Sequence, residues 1–235
     1  MRAILLAAGR GRRFESDEPK CLLTIEGKTL LERHLACLLE SGASGLTLVV
    51  GYKREMIDAS LARLAPALPV EIIENKDFVR GSILSLQIAA HRLLEGGMWM
   101  DADVLYPASL LRRLVTSKND NCVLLDGRSE ETGEEMMLGT RAGRVLKIAR
   151  RVGRDWDAVG EAVGFAKVGP AGGAVMKRLL DEEIAAGRVD QEYEAAMDRA
   201  FQEIPFGFER VDEFPWTEID FQEDVEKARR LARQL

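Results

Sequence analysis

The chain has 235 residues, 46 % hydrophobic and 31 % charged, enough apolar material for one large α/β domain and too much for a disordered chain. Its 33 basic and 39 acidic residues leave a formal net charge of −6, whereas a nucleic-acid-binding domain usually carries a basic excess. The cysteines Cys21, Cys37 and Cys122 have neither metal-site spacing nor an even disulfide framework, and read as reduced, buried thiols of a cytoplasmic protein.

The first element is the apolar run Ile4-Leu5-Leu6-Ala7-Ala8, which fits a buried strand. It is too short for a leader peptide, and no later run approaches the ~20 apolar residues of a membrane span. The run breaks at Gly9 and Gly11, where a backbone without Cβ turns sharply and lies close to a ligand. Arg10, Arg12 and Arg13 follow, and Lys20 comes after Pro19. Glycines and cations at a strand end suit a phosphate cradle, although a basic surface turn has the same composition. The spacing is not that of the P-loop, and Phe14 stands where the dinucleotide fingerprint needs its third glycine.

Leu30, Leu31, His34, Leu35, Leu38 and Leu39 recur at helical spacing up to Gly42, which places His34 in the core. Leu46 to Val50 reads as a strand ending at Gly51, Arg54 to Leu64 as a helix, and Val70 to Ile73 as a strand with Asn75 past its end. Ser82 is the expected N-cap of a helix from Ile83 to Leu94, and Met98-Trp99-Met100 is a strand that runs into Asp101-Ala102-Asp103. This order predicts a mainly parallel sheet with helices on both faces and a site outside the carboxyl ends of its strands. After Val123 to Asp126, residues 127–160 read as an antiparallel insertion with short β segments at Glu135 to Leu138 and Val145 to Ile148. Ala162 to Val168 resumes as strand. Helices are expected near Val175 to Ala186 and Tyr193 to Phe201, then a strand near Glu209 to Val211 and a helix from about Glu223 to Arg233.

Leu6, Ala7, Ala8, Gly9, Arg10, Gly11, Arg12 and Arg13, with Pro19-Lys20-Cys21-Leu22 behind them, resemble the signature of the nucleotidyltransferases, the superfamily of sugar-phosphate and MobA-like NTP transferases. The resemblance implies a single-domain Rossmann-like fold over residues 1–235. It also implies a glycine loop around the triphosphate, Arg13 and Lys20 on phosphate, and Gly51, Asn75, Gly81, Ser82, Ser85 and Asp101 on the nucleotide side. Asp101-Ala102-Asp103 alone could equally be a solvated acidic turn; the resemblance makes Asp103 a metal ligand.

Trp216-Thr217-Glu218-Ile219-Asp220 resembles a motif of the branch holding the cytidylyltransferases for phosphocholine and 2-aminoethylphosphonate, and makes Asp220 the second ligand. Read alone, Asp220 is also a plausible helix cap. The implied cofactor is Mg²⁺. The implied partners are CTP (or another NTP) and a small phosphorylated or phosphonate acceptor, with no nucleic acid and no membrane. The catalytic set would be Arg13, Lys20, Asp103 and Asp220. Acceptor candidates are Asp126, Glu161, Tyr193, Glu194, Trp216 and Glu218, beside Trp156 and Asp157. The branch usually carries asparagine at the position of Ser82 and lysine at that of Arg150. Transfer to a sugar 1-phosphate or inositol phosphate, and a nucleotide-sensing domain of the same fold, are the other readings.

Overall fold

The computed structural model describes residues 1–11 and 17–235. Among the described residues, nine strands form one sheet with helices on both faces. Its parallel centre runs in the order Gly97–Asp101, Arg2–Ala7, Gly45–Val50, Val70–Glu74. Gly45–Val50 is buried at every position, as a strand covered on both faces must be. Successive side chains alternate between the faces. Leu5, Leu48 and Met100 therefore join Leu31, Leu38 and Leu110 in one core layer. Ile4, Val49 and Trp99 join Leu86, Met176 and Phe201 in the other.

Ala158–Val168 runs antiparallel to Gly97–Asp101, with Phe165 opposite Met100. It also carries Cys122–Asp126 and, through Ala158 to Glu161, the hairpin Met137–Arg141 and Arg144–Ala149. The hairpin turns at Ala142 and Gly143, which have φ of 51° and 74°, the left-handed pair that matches strand twist in a two-residue loop. It thus extends the main sheet. Its first strand begins and ends later than the expected segment, because the charged stretch before Met137 lies outside the ladder, and its second outruns the expected segment by one residue at each end.

The helix Leu30–Glu40 begins at a capping box: Glu32 N donates to Thr29 Oγ1 at 3.1 Å, and Thr29 N donates to Glu32 Oε2 at 2.7 Å. His34 on this helix is buried beside Tyr106, 3.1 Å from its hydroxyl, and burial pushes its imidazole down to about 4. The third expected helix is corrected at both ends. Gly81 occupies the cap position, and Ser82 is the first helical residue, with its Oγ accepting from Tyr193 N at 3.1 Å. The helix Ser82–Ala89 then tightens to a 3₁₀ turn over Ala90–Leu93. Cys21 and Cys122 are buried free thiols, as expected, but Cys37 is only partly buried. No helix among the described residues is long and apolar enough to cross a membrane.

The helices Pro170–Ala185 and Glu194–Glu203 are clamped by one buried carboxylate. Glu183 accepts from Arg199 Nη1 at 2.6 Å and from Arg188 Nη2 at 2.9 Å, and Arg188 Nε adds a further contact. The Arg188 hydrogen bond leads the causes that hold this carboxyl down at about 2, burial opposing it and Arg199 adding to it. A carboxyl depressed in the folded state stabilises above its unfolded value, near 4.5, and that stability is lost as pH falls toward 2. We expect Glu183→Gln to cost roughly 2–3 kcal/mol at pH 7 and to flatten the loss of melting temperature on acidification between pH 4.5 and 2. Parallel acid-melting profiles for variant and parent would show that the clamp carries no stability.

Candidate active site

The carboxyl ends of the central strands open into a cleft of about 690 Å³. Tyr52 N donates to Ala8 O at 3.0 Å, tying the end of the first strand to its neighbour. Gly9 has open space where a Cβ would stand, on a stretch that lines the cleft. Gly11 has φ +62°, and a Cβ there would lie 2.8 Å from the Lys20 side chain. A residue without a side chain is therefore needed for Lys20 to pass. Lys20 itself opens a short 3₁₀ turn, Lys20–Leu22, whose Cys21 and Leu22 are buried. Anchoring those two leaves Lys20 turned toward the cleft.

Its ammonium meets the acidic side of the site. Lys20 Nζ lies 3.1 Å from Asp103 Oδ2 and 2.5 Å from Asp220 Oδ1. Burial works against the charge on Lys20, but Asp103 and Asp220 outweigh it and hold the ammonium above its ordinary range. The two aspartates meet because a small ladder joins distant parts of the chain. Val104–Leu105 pairs antiparallel with Thr217–Glu218, and Ile219 N donates to Asp103 O at 3.0 Å. Ile219 anchors the crossing in a core of Ile25, Leu30, Leu105 and Val225.

The Asp220 carboxylate is not the helix cap that its position allowed. Asp224 Oδ2 accepts from Asp220 N at 2.9 Å and Phe221 N at 2.8 Å, which leaves the Asp220 side chain turned to Lys20. Glu218 joins the pair: one carboxylate oxygen each of Asp103, Glu218 and Asp220 lie within 4.8 Å of one another. An all-oxygen set of this kind fits a hard divalent cation such as Mg²⁺. Desolvation, then the charges of Asp103, Asp220 and Asp101, push the Glu218 carboxyl well above the usual range, with Lys20 opposing. Such crowding is what a bound cation would relieve.

Asp101 stands behind this group. Tyr193 OH donates to its Oδ2 at 2.6 Å, and a Cβ on Gly164, at φ +78°, would come within 2.4 Å of the same oxygen. Burial, with Glu194 and Asp103 adding, raises the Asp101 carboxyl well above its ordinary value.

Of the residues singled out from sequence, Leu6 through Gly11, Lys20, Gly81, Ser82, Ser85, Asp101, Asp103, Glu161, Tyr193, Glu194, Glu218 and Asp220 all line the cleft. Arg12 and Arg13 lie outside the described residues. Gly51 and Asn75 are behind the wall. A Cβ on Gly51 would meet Phe78 at 2.6 Å, so its bareness lets two loops nest. Buried Asn75 donates to Ser85 Oγ at 3.0 Å and accepts from Asp77 N at 2.9 Å. Asp126 and Trp216 are spent on each other: Trp216 Nε1 donates to Asp126 Oδ2 at 2.7 Å, Arg128 forks onto the same carboxylate, and neither residue lines the cleft. Trp156 packs over Gly139 with its indole N–H on Val152 O, and Asp157 accepts from Ala142 N, both against the hairpin and off the cleft.

Reading the sequence missed the lining residues Phe78, Glu134, Met136 and Glu192 and the grouping of Glu218 with the two aspartates. The spacing Glu218-x-Asp220 held that last signal, since alternate residues of an extended segment share a face.

The family profile for a MobA-like NTP transferase domain matches residues 3–162. A bifunctional IPC transferase and DIPP synthase of Rubrobacter xylanophilus is 32 % identical over 156 residues, 65 % of this chain and 35 % of the relative. The chain spans about a third to a half of the length of the curated relatives it matches. An inositol-1-phosphate CTP transferase from T. maritima superposes with a TM-score of 0.80 at 20 % identity, over 99 % of this chain and 96 % of that one. The CTP:phosphocholine cytidylyltransferase from Streptococcus pneumoniae does so with a TM-score of 0.82 at 20 % identity, over 98 % of each chain. These two likenesses show the fold. The sequence match runs from the first strand through the glycine loop and the Asp101 to Asp103 turn as far as Ala162, and by that match the chain belongs to the MobA-like NTP transferase family.

Proposed function

We propose that the chain is a Mg²⁺-dependent nucleotidyltransferase that moves CMP from CTP to a small phosphorylated or phosphonate amino-alcohol, phosphocholine or 2-aminoethylphosphonate, and releases pyrophosphate. The observation that carries this reading is the Lys20 ammonium between Asp103 and Asp220, with Glu218 beside them, at the mouth of a glycine-lined cleft. Cation and carboxylates together are what a polyphosphate and its counter-ion require.

The chemistry asks for position and charge. An acceptor phosphate oxygen, already anionic at neutral pH, attacks the α-phosphorus as the bond to pyrophosphate breaks, so no protein nucleophile or base is needed. Asp103, Glu218 and Asp220 would hold the divalent cation, which supplies neutralisation of phosphate charge. Lys20 is placed to stabilise the charge that grows on the leaving group. Gly9 and Gly11 keep the backbone bare where the triphosphate would lie. The segment Phe78 to Ser82 forms the wall on which we place the base. CTP is favoured by the two structural neighbours, both named for CTP. The T. maritima likeness also supports a second reading, transfer to inositol phosphate.

The test is pyrophosphate release with each of the four nucleoside triphosphates, crossed with phosphocholine, 2-aminoethylphosphonate, inositol phosphate and sugar 1-phosphates. We expect release with CTP and an amino-alkyl acceptor, abolished by EDTA and restored by Mg²⁺. Release with no pair would sink the nucleotidyltransferase reading, and faster turnover of a sugar or inositol phosphate would replace the acceptor.

A further inference from the structure

We infer that the acceptor carries a primary ammonium and not a quaternary one; this rests on the cytidylyltransferase reading just given. The hairpin side of the cleft is acidic. Glu134, Glu161, Glu192 and Glu194 line it, and among the described residues the lining arginines beside them are already paired, Arg150 with Glu192 at 2.7 Å and with the Glu134 carbonyl, and Arg80 with Asp190 at 2.6 Å. Glu161 Oε2 accepts from Ser129 Oγ, and the next residue's N–H is tied to Met136 O, which fixes that carboxylate on the strand. Glu194 opens its helix beside Tyr193. Burial and the neighbouring Glu192 push the Glu194 carboxyl up to about 7, although its own backbone, Tyr193 and Arg150 pull it down. An arriving N–H donor would restore its charge.

A trimethylammonium has no N–H to give and is recognised mainly by aromatic faces. Those faces are elsewhere. Among the described residues, Phe78 and Tyr193 are the aromatics of the cleft lining. Phe78 sits by Gly51 and tilts against Tyr52, on the glycine-loop side. Tyr193 is 3 % exposed, its hydroxyl is held by Asp101, and its ring meets Trp99 edge-on. Carboxylates without an aromatic cage match an ammonium with three N–H donors.

The experiment follows CTP turnover with phosphoethanolamine and its mono-, di- and trimethylated forms, the last being phosphocholine. Calorimetric binding of the same four is measured on the Mg²⁺-loaded protein with a non-hydrolysable CTP analogue. With two charge-assisted hydrogen bonds lost across the series, kcat/KM and affinity should each fall about a hundredfold or more. Glu161→Gln and Glu194→Gln should each raise KM for phosphoethanolamine about tenfold and leave KM for CTP unchanged. Phosphocholine bound or turned over as well as phosphoethanolamine would overturn the inference. So would variants that shift both KM values alike. Binding that favours phosphoethanolamine without turnover would uphold the ammonium preference and sink only the transfer reaction. Neither binding nor turnover by any of the four would overturn both.

Discussion

Asp103→Ala and Asp220→Ala should each lower kcat by about a thousandfold or more, a loss of several kcal/mol of charge stabilisation at the reacting phosphate. Each removes one of the three carboxylates whose oxygens cluster within 4.8 Å, and with it the balance between the cleft's acidic group and a polyphosphate. The fold should survive both changes. Asp103 holds the C-terminal segment through its backbone carbonyl, which accepts from Ile219 N at 3.0 Å, and alanine keeps that bond. Asp220 does not cap the final helix, because Phe221 holds the N-cap position and Asp224 Oδ2 accepts from its N–H. Melting temperatures within a few degrees of the parent, beside the loss of pyrophosphate release, are the expected pair of results. Full activity in either variant would remove the carboxylate cluster from the chemistry. Loss of activity together with unfolding would instead make the aspartates structural.

Lys20→Met should lower kcat/KM by roughly a hundredfold to a thousandfold, since a charged hydrogen bond is worth about 1.5–3 kcal/mol and the ammonium is positioned to make more than one. The loss should be divided between the KM for CTP and kcat, because the same charge meets the bound triphosphate and the departing pyrophosphate. Lys20→Arg should recover little of it. The stem of Lys20 passes within 2.8 Å of where a Cβ on Gly11 would stand, and a wider guanidinium would not follow that path. The variant also removes the ammonium that now pairs with Asp103 and Asp220, two of the three clustered carboxylates, so half-saturation with Mg²⁺ should move to lower concentration as the rate falls. Kinetics near those of the parent would mean that Lys20 only balances charge in the empty cleft.

Much of this molecule follows from local pattern. The helix Arg54–Leu64 and the strand Gly45–Val50 lie where apolar spacing and the glycine at Gly51 between them place them, because periodicity and turn chemistry are properties of a few neighbouring residues. The glycine loop is local in the same sense: a backbone bare at Gly9 and Gly11 with a cation at Lys20 is a phosphate-seeking arrangement before any tertiary contact forms. The choice between neighbouring cap residues was less legible. Gly81 rather than Ser82 holds the cap position, and Phe221 rather than Asp220 stands at the N-cap of the final helix, since each hydroxyl or carboxylate had another partner that only the folded chain supplies.

Long-range pairing alone decided the rest. Asp126 and Trp216 are 90 residues apart and look from sequence like free recognition groups, yet the fold spends the indole N–H on the carboxylate, as a buried donor and acceptor must be satisfied. Glu218 looked like an acceptor contact and instead stands with Asp103 and Asp220, because Thr217 pairs with Leu105 and Glu218 with Val104. That ladder costs the closure of a loop of more than a hundred residues, and the burial of Ile219 and Leu105 in the C-terminal core helps to offset it. Composition and spacing named the acids and the lysine. The entropy of bringing them together was overcome only where distant apolar side chains found one another, which is why the site had to be read from the tertiary structure.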